Sequence, residues 1–224
     1  MSWITLQASD GHRPRAWQAE PAGQPRGSIV VLQEIFGVNA HIRTVCDRYA
    51  QQGWLAVAPS LFDRAGGPEE GLGYAPEEMA KARELKARVP EDKALLDVEA
   101  AVAHCRSRAP RVAVVGFCWG GTLAWLAGSR IPGVSSVVAY YGTAIAAHLD
   151  EAPRVPVLLH FGDRDTHIPP ADVEGIGRAH PAAELLRYPA GHGFNCDVRP
   201  SFDPDSAALA AERTGAFLAR HLEG

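Results

Sequence analysis

The chain has 224 residues, of which 46% are hydrophobic and 21% charged, and it carries a formal net charge of −4 at pH 7. That length and apolar content suit a single α/β domain over 1–224 with a full core, and they exclude a disordered chain. The negative balance argues against nucleic acid as a partner, because phosphate recognition needs a basic surface.

Taken in chain order, the first ten residues lack the basic and apolar segments of a secretory leader, and no apolar run is long enough to span a bilayer. A cytoplasmic location and no membrane partner are the expectation. Strand patterns at 3–8 and 13–18 flank Ser9, Asp10, Gly11 and His12, a hairpin-like turn that predicts an antiparallel opening. Further strands are expected at 28–33, 55–58, 112–116, 137–140, 157–161 and 184–188. Helical spacing of apolar residues places helices at 42–51, 76–88, 92–108, 120–129, 171–179 and 205–221. The interior strands are continuous apolar runs, as in a mostly parallel sheet covered by helices on both faces. Residues 64–73, rich in glycine, read as a loop leading into a charged, solvated helix, with part of the segment a candidate border of the pocket, since open α/β sheets place ligands at the carboxyl ends of strands.

The most informative stretch is Gly116-Phe117-Cys118-Trp119-Gly120, directly after the apolar run Val112 to Val115. It reads as the nucleophile elbow of an α/β-hydrolase fold with cysteine in the usual place of serine. The elbow forces its central residue into a strained turn between strand and helix, so its flanking residues must be tiny. A helix N-terminus beneath it favours a thiolate, or the oxyanion formed in acyl transfer. The other cysteines, Cys46, Cys105 and Cys196, fit neither a zinc site nor a CxxC pair, so no metal is expected. Cys46 and Cys105 read as small buried hydrophobes.

A cysteine nucleophile needs a base, and the base needs an orienting acid; in this fold the order along the chain is nucleophile, acid, histidine. After Cys118, the apolar strand at 157–161 ends in a loop holding Asp163 and Asp165. Asp165 is the stronger acid candidate because it lies deeper in the loop, just before Ile168-Pro169; Asp163 is the alternative. His192 stands between Gly191 and Gly193 after the last strand, where the histidine of this fold hangs over the elbow. Upstream, Gln33-Glu34-Ile35-Phe36-Gly37 closes the third strand. The backbone N–H groups of Ile35 and Trp119 are the expected oxyanion-hole donors, and Glu34 is expected partly buried beside Cys118.

With these motifs the chain resembles the dienelactone hydrolase (carboxymethylenebutenolidase) family. The resemblance runs from Ile29 to the C-terminal helix and rests on Gln33 to Asn39, Gly116 to Gly121, the Asp165 loop and Gly191 to Phe194. It implies an esterase with a Cys118, His192, Asp165 triad and a thioester acyl-enzyme. It further implies a role for Glu34 in switching the resting thiol to thiolate, a small ester or lactone substrate, no cofactor, and a monomer. One departure concerns the two arginines with which the family's best-known members hold a substrate carboxylate. Those positions are Met79 and Cys196 here. Lys81, Arg83 and Arg199 are the candidate replacements, and Arg83, about one helical turn from Met79, is expected ahead of Arg199; Phe36 and Phe194 are the other expected substrate contacts. The alternatives are a thioesterase or acyltransferase, and a non-catalytic module that binds small lactones.

Overall fold

A computed structural model describes residues 1–223. Eight strands form one sheet: β1 (Ser2–Thr5), β2 (Arg15–Ala19), β3 (Ser28–Leu32), β4 (Leu55–Pro59), β5 (Val112–Phe117), β6 (Ser136–Tyr140), β7 (Val157–Gly162) and β8 (Glu184–Tyr188). Their spatial order is β1-β2-β4-β3-β5-β6-β7-β8. The β1–β2 and β2–β4 pairs are antiparallel and all others are parallel. Every residue of β3, β4, β5 and β6 is buried. Two-sided burial is what makes these strands read as unbroken Val, Ile, Leu and Ala runs.

Six helices cover the sheet: α1 (Ala40–Gln51), α2 (Pro76–Ala87), α3 (Glu91–Arg106), α4 (Trp119–Arg130), α5 (Pro170–Ala179) and α6 (Pro204–Leu222). Three begin on proline, whose fixed φ and missing N–H suit the first helical turn. Asn39 caps α1 by accepting from the Ile42 N–H at 3.2 Å, and Asp203 caps α6 by accepting from Ser206 N–H at 3.0 Å. Helices α1, α5 and α6 therefore start one or two residues before the periodicity shows.

The antiparallel opening is present, but β1 is shorter than residues 3–8. Beyond Thr5 the pairing loosens into isolated bonds, Leu6 N–H to Pro14 O and Ala8 N–H to His12 O, both 2.9 Å. Pro14 has no N–H to continue a ladder, so β2 starts only at Arg15. A 3₁₀ turn over Leu61–Ala65 takes up the beginning of the expected 64–73 loop. Its Arg64 makes a two-bonded ion pair with the fully buried Asp97 of α3, which also meets His12, tying the hairpin to the helical layer.

The sheet order sets the position of the site. From β3 the chain steps outward to β4, then returns to place β5 on the other side of β3, so β3 and β5 are neighbours at a reversal of strand order. The crevice at such a reversal, beyond the carboxyl ends of the strands, is where open α/β sheets bind ligands. Glu34 follows β3 there and Cys118 follows β5.

Candidate active site

Cys118 sits between β5 and α4 with φ 55° and ψ −117°, a conformation that L side chains rarely adopt. The neighbouring glycines explain how it is reached. A Cβ on Gly116 would collide with the Gly120 carbonyl, and one on Gly120 would lie 2.5 Å from the carbonyl oxygens of both Leu32 and Gln33. Backbone packing of that closeness tolerates only glycine. Helix α4 starts at Trp119, so the thiol stands at its electropositive end. The N–H groups of Ile35 and Trp119 donate to no protein acceptor among the described residues, which leaves two donors free on either side of the elbow.

The Asp165 and His192 side chains meet. The His192 Nδ1–H donates to Asp165 Oδ2 at 2.8 Å, and Asp165 Oδ1 accepts from the His167 N–H at 2.7 Å. Both residues are buried, at 8% exposure each. Burial alone would depress the His192 pKa, but the Asp165 hydrogen bond and the Cys118 sulfur outweigh it and raise the pKa to about 9. Burial pulls Asp165 the other way, and the imidazole beside it holds its carboxyl below the usual value. Asp163, by contrast, is exposed and paired with Arg187 at 2.6 Å.

Glu34 is 2% exposed, and its Oε1 accepts from Arg199 Nη1 at 3.1 Å. Its Oε2 is buried without a partner. Arg199 lies over the rings of Phe36 and Tyr74, at 5.7 and 5.8 Å. Burial works against its guanidinium, but the Glu34 carboxylate beside it outweighs that and holds its pKa above the ordinary value. Successive turns bring it there: Cys196 N–H bonds Gly193 O at 3.0 Å, Arg199 N–H bonds Cys196 O at 3.1 Å, and Phe202 N–H bonds Arg199 O at 3.0 Å. The coiled loop is fixed to α1 through Asp197, which bonds His41 at 3.1 Å and Arg48 at 2.7 Å.

Two of the expected substrate contacts, Phe194 and Phe36, are buried. Phe194 is fully buried, packed against Tyr140, Tyr141 and Tyr188, so in this conformation it supports the histidine loop and does not face a ligand. Phe36 is also buried, at 2% exposure, under Tyr74 and Arg199. Arg83 is exposed and makes no ion pair among the described residues; its charge reaches His167, whose ring lies 4.5 Å from that of His192, tilted by 36°. Arg199, placed behind Arg83 by the sequence, is the arginine that pairs with Glu34. Gly193 was the available signal, because a Cβ there would strike the Arg199 guanidinium.

Asp165, His167 and His192 offer donor atoms within 4.8 Å of one another, a set that could hold a metal ion. Asp165 and His192 are already committed to each other, so a cation would compete with that bond. A groove of about 640 Å³ bordered by Trp125, Pro156 and His180 lies at the amino end of β7, the end opposite the acid loop.

A cysteine at a strained strand–helix elbow, then an acid after β7 and a histidine after β8, over this sheet, defines an α/β-hydrolase. A model of the dienelactone hydrolase family matches residues 15–222. The chain is 35% identical to the carboxymethylenebutenolidase of Pseudomonas putida, over 96% of this chain and 95% of that one. It is also 35% identical to a candidate carboxymethylenebutenolidase of Yersinia pestis, over 97% and 87% of the two chains. The crystal structure of a candidate dienelactone hydrolase from Klebsiella pneumoniae superimposes with a TM-score of 0.85 at 32% identity, over 98% of this chain and all of the other. The chain belongs to the dienelactone hydrolase family. No helix among its described residues is long and apolar enough to cross a membrane.

Proposed function

We propose that the protein hydrolyses a small activated ester or enol lactone through a thioester on Cys118. The observation that carries this reading is the positive-φ Cys118 at the head of α4, beside the buried His192–Asp165 pair. His192 takes the thiol proton, and Asp165 fixes the imidazole so that Nε2 faces the reaction. The thiolate adds to the ester carbonyl, and the oxyanion is met by the N–H groups of Ile35 and Trp119. One such donor is worth about 3 kcal/mol of barrier. The imidazolium then gives its proton to the leaving oxygen, and water attacks the thioester with His192 again as base. A good leaving group suits this arrangement, since thiolates attack readily but expel poor leaving groups slowly.

Glu34, buried beside the elbow with one oxygen unpaired, is suited to exchange a proton with the resting thiol. The curated relative from Pseudomonas putida is a carboxymethylenebutenolidase, a name that supports a carboxylate-bearing lactone as substrate here. A desolvated carboxylate demands a paired cation. Arg199, half-buried at Glu34, is better placed for that than the exposed Arg83, which reverses the order expected from sequence.

The test is turnover of an activated aryl ester and of a carboxylated enol lactone by the wild type and Cys118→Ala. The wild type should cleave both and the variant neither, with its fold intact. Equal turnover by Cys118→Ala would remove the mechanism.

A further inference from the structure

Tyr140 ends β6 and Tyr141 follows it, and both are buried. Tyr140 is satisfied twice: its hydroxyl donates to Ala210 O at 3.2 Å and pairs with Thr214 Oγ1 at 2.7 Å. Tyr141 has a buried hydroxyl with no partner at all. Its backbone is strained as well, with φ 40°; Tyr141 and Cys118 are the two non-glycine residues with positive φ among those described. Its N–H is pinned by His160 O at 2.7 Å. An orphaned hydroxyl and a left-handed tyrosine are both costly, and such costs persist where function holds them.

The surroundings indicate which function. The Tyr141 ring meets the His192 ring edge-on at 5.0 Å and Phe194 at 5.4 Å. Besides His192, the ionisable groups that act on its hydroxyl are Glu34 after β3, Cys118 after β5, and Cys196 and Arg199 on the loop beyond His192. Burial, then the Glu34 carboxylate, hold the phenol far above its ordinary pKa, so it remains a neutral donor. Glu34 is held by Arg199 through Oε1, while its Oε2, like the Tyr141 hydroxyl, has no partner, and the Cys196 thiol donates to Tyr74. A buried thiolate at Cys118, in contrast, needs donors that a neutral thiol does not.

We infer that the Tyr141 hydroxyl is kept unbonded beside the elbow so that it can donate to the Cys118 sulfur when that sulfur is ionised. The strained backbone aims the side chain across the catalytic end of the sheet; an unstrained residue after β6 would follow the strand. Tyr141 is then a positioning residue, acting through the nucleophile. The inference rests on the cysteine mechanism proposed above.

Tyr141→Phe separates this from a purely structural role, because it keeps the ring and removes only the oxygen. Three quantities are compared with wild type in the whole chain: Tm, kcat/KM for an activated aryl ester, and the pH midpoint of Cys118 alkylation by iodoacetamide. A hydrogen bond to a charged group corresponds to roughly a 10- to 100-fold effect. The expected result is kcat/KM lower by that factor, carried mainly by kcat, an alkylation midpoint at least about one pH unit higher, and a Tm unchanged or raised. Removing an unsatisfied buried hydroxyl does not weaken the fold. An unchanged midpoint and unchanged kcat/KM would overturn the inference. So would a large fall in Tm, which would show that the hydroxyl bonds within the resting fold. A wild type that neither turns over esters nor alkylates at Cys118 would instead remove the underlying mechanism.

Discussion

Arg199→Met tests the coupling between the histidine loop and Glu34. The substitution keeps most of the stem and removes the guanidinium that bonds Glu34 Oε1 at 3.1 Å. Glu34 would then be a carboxylate at 2% exposure with neither oxygen bonded. Stripping one partner from a fully buried pair costs about 3–5 kcal/mol. The Arg199 side chain is 15% exposed, so water softens the loss and about 2–3 kcal/mol is the expected figure. For a chain of this length that corresponds to a fall in Tm of roughly 4–12 °C. Thermal unfolding of wild type, Arg199→Met, Glu34→Gln and the double variant forms the assay. Neutralising Glu34 should rescue Arg199→Met, giving a coupling of about 1–2 kcal/mol, and the preference for a carboxylated substrate over its methyl ester should fall with Arg199. A loss below about 0.5 kcal/mol, typical of a surface site, together with an unchanged preference, would refute the reasoning.

Two further outcomes follow from buried groups. His160 is enclosed by Tyr188 and Thr214, and burial, then the Arg213 charge, lowers its pKa to about 3. The unfolded imidazole binds its proton near pH 6.5, so this contribution is whole above that pH and is lost as pH falls toward 3. By pH 5 the loss is about 2 kcal/mol, and urea unfolding should show a smaller drop between pH 7 and 5 for His160→Gln than for wild type. Arg64→Ala should cost about 3–5 kcal/mol, because Asp97 is fully buried and Arg64 supplies two of its bonds; Arg64→Ala with Asp97→Asn should be more stable than Arg64→Ala alone in the same assay.

The elbow is legible in sequence because backbone closeness at Gly116 and Gly120 admits only glycine, and the histidine loop because Gly193 takes a positive φ that L side chains rarely adopt. The inner strands are legible because burial on both faces demands continuous apolar runs. The placement of Arg199 is not legible: it depends on three consecutive turns after Gly193 and on Asp197 anchoring to α1. Gly193 shows that something approaches closely but not what. Phe194 was read as a pocket wall from its place beside His192, yet the aromatic cluster of Tyr140, Tyr141 and Tyr188 draws it inward. The strain at Tyr141 is invisible for a different reason. Tyrosine after a strand predicts ordinary extended backbone, and only the fold imposes φ 40° on it.

The central claim is that Cys118 carries the acyl group. Rapid acid quench during turnover of an activated aryl ester, followed by peptide mass spectrometry, measures this directly. The account predicts the acyl mass on the peptide containing Cys118 and its disappearance in Cys118→Ala. Acyl mass found consistently on another residue, or undiminished turnover in Cys118→Ala, would contradict it.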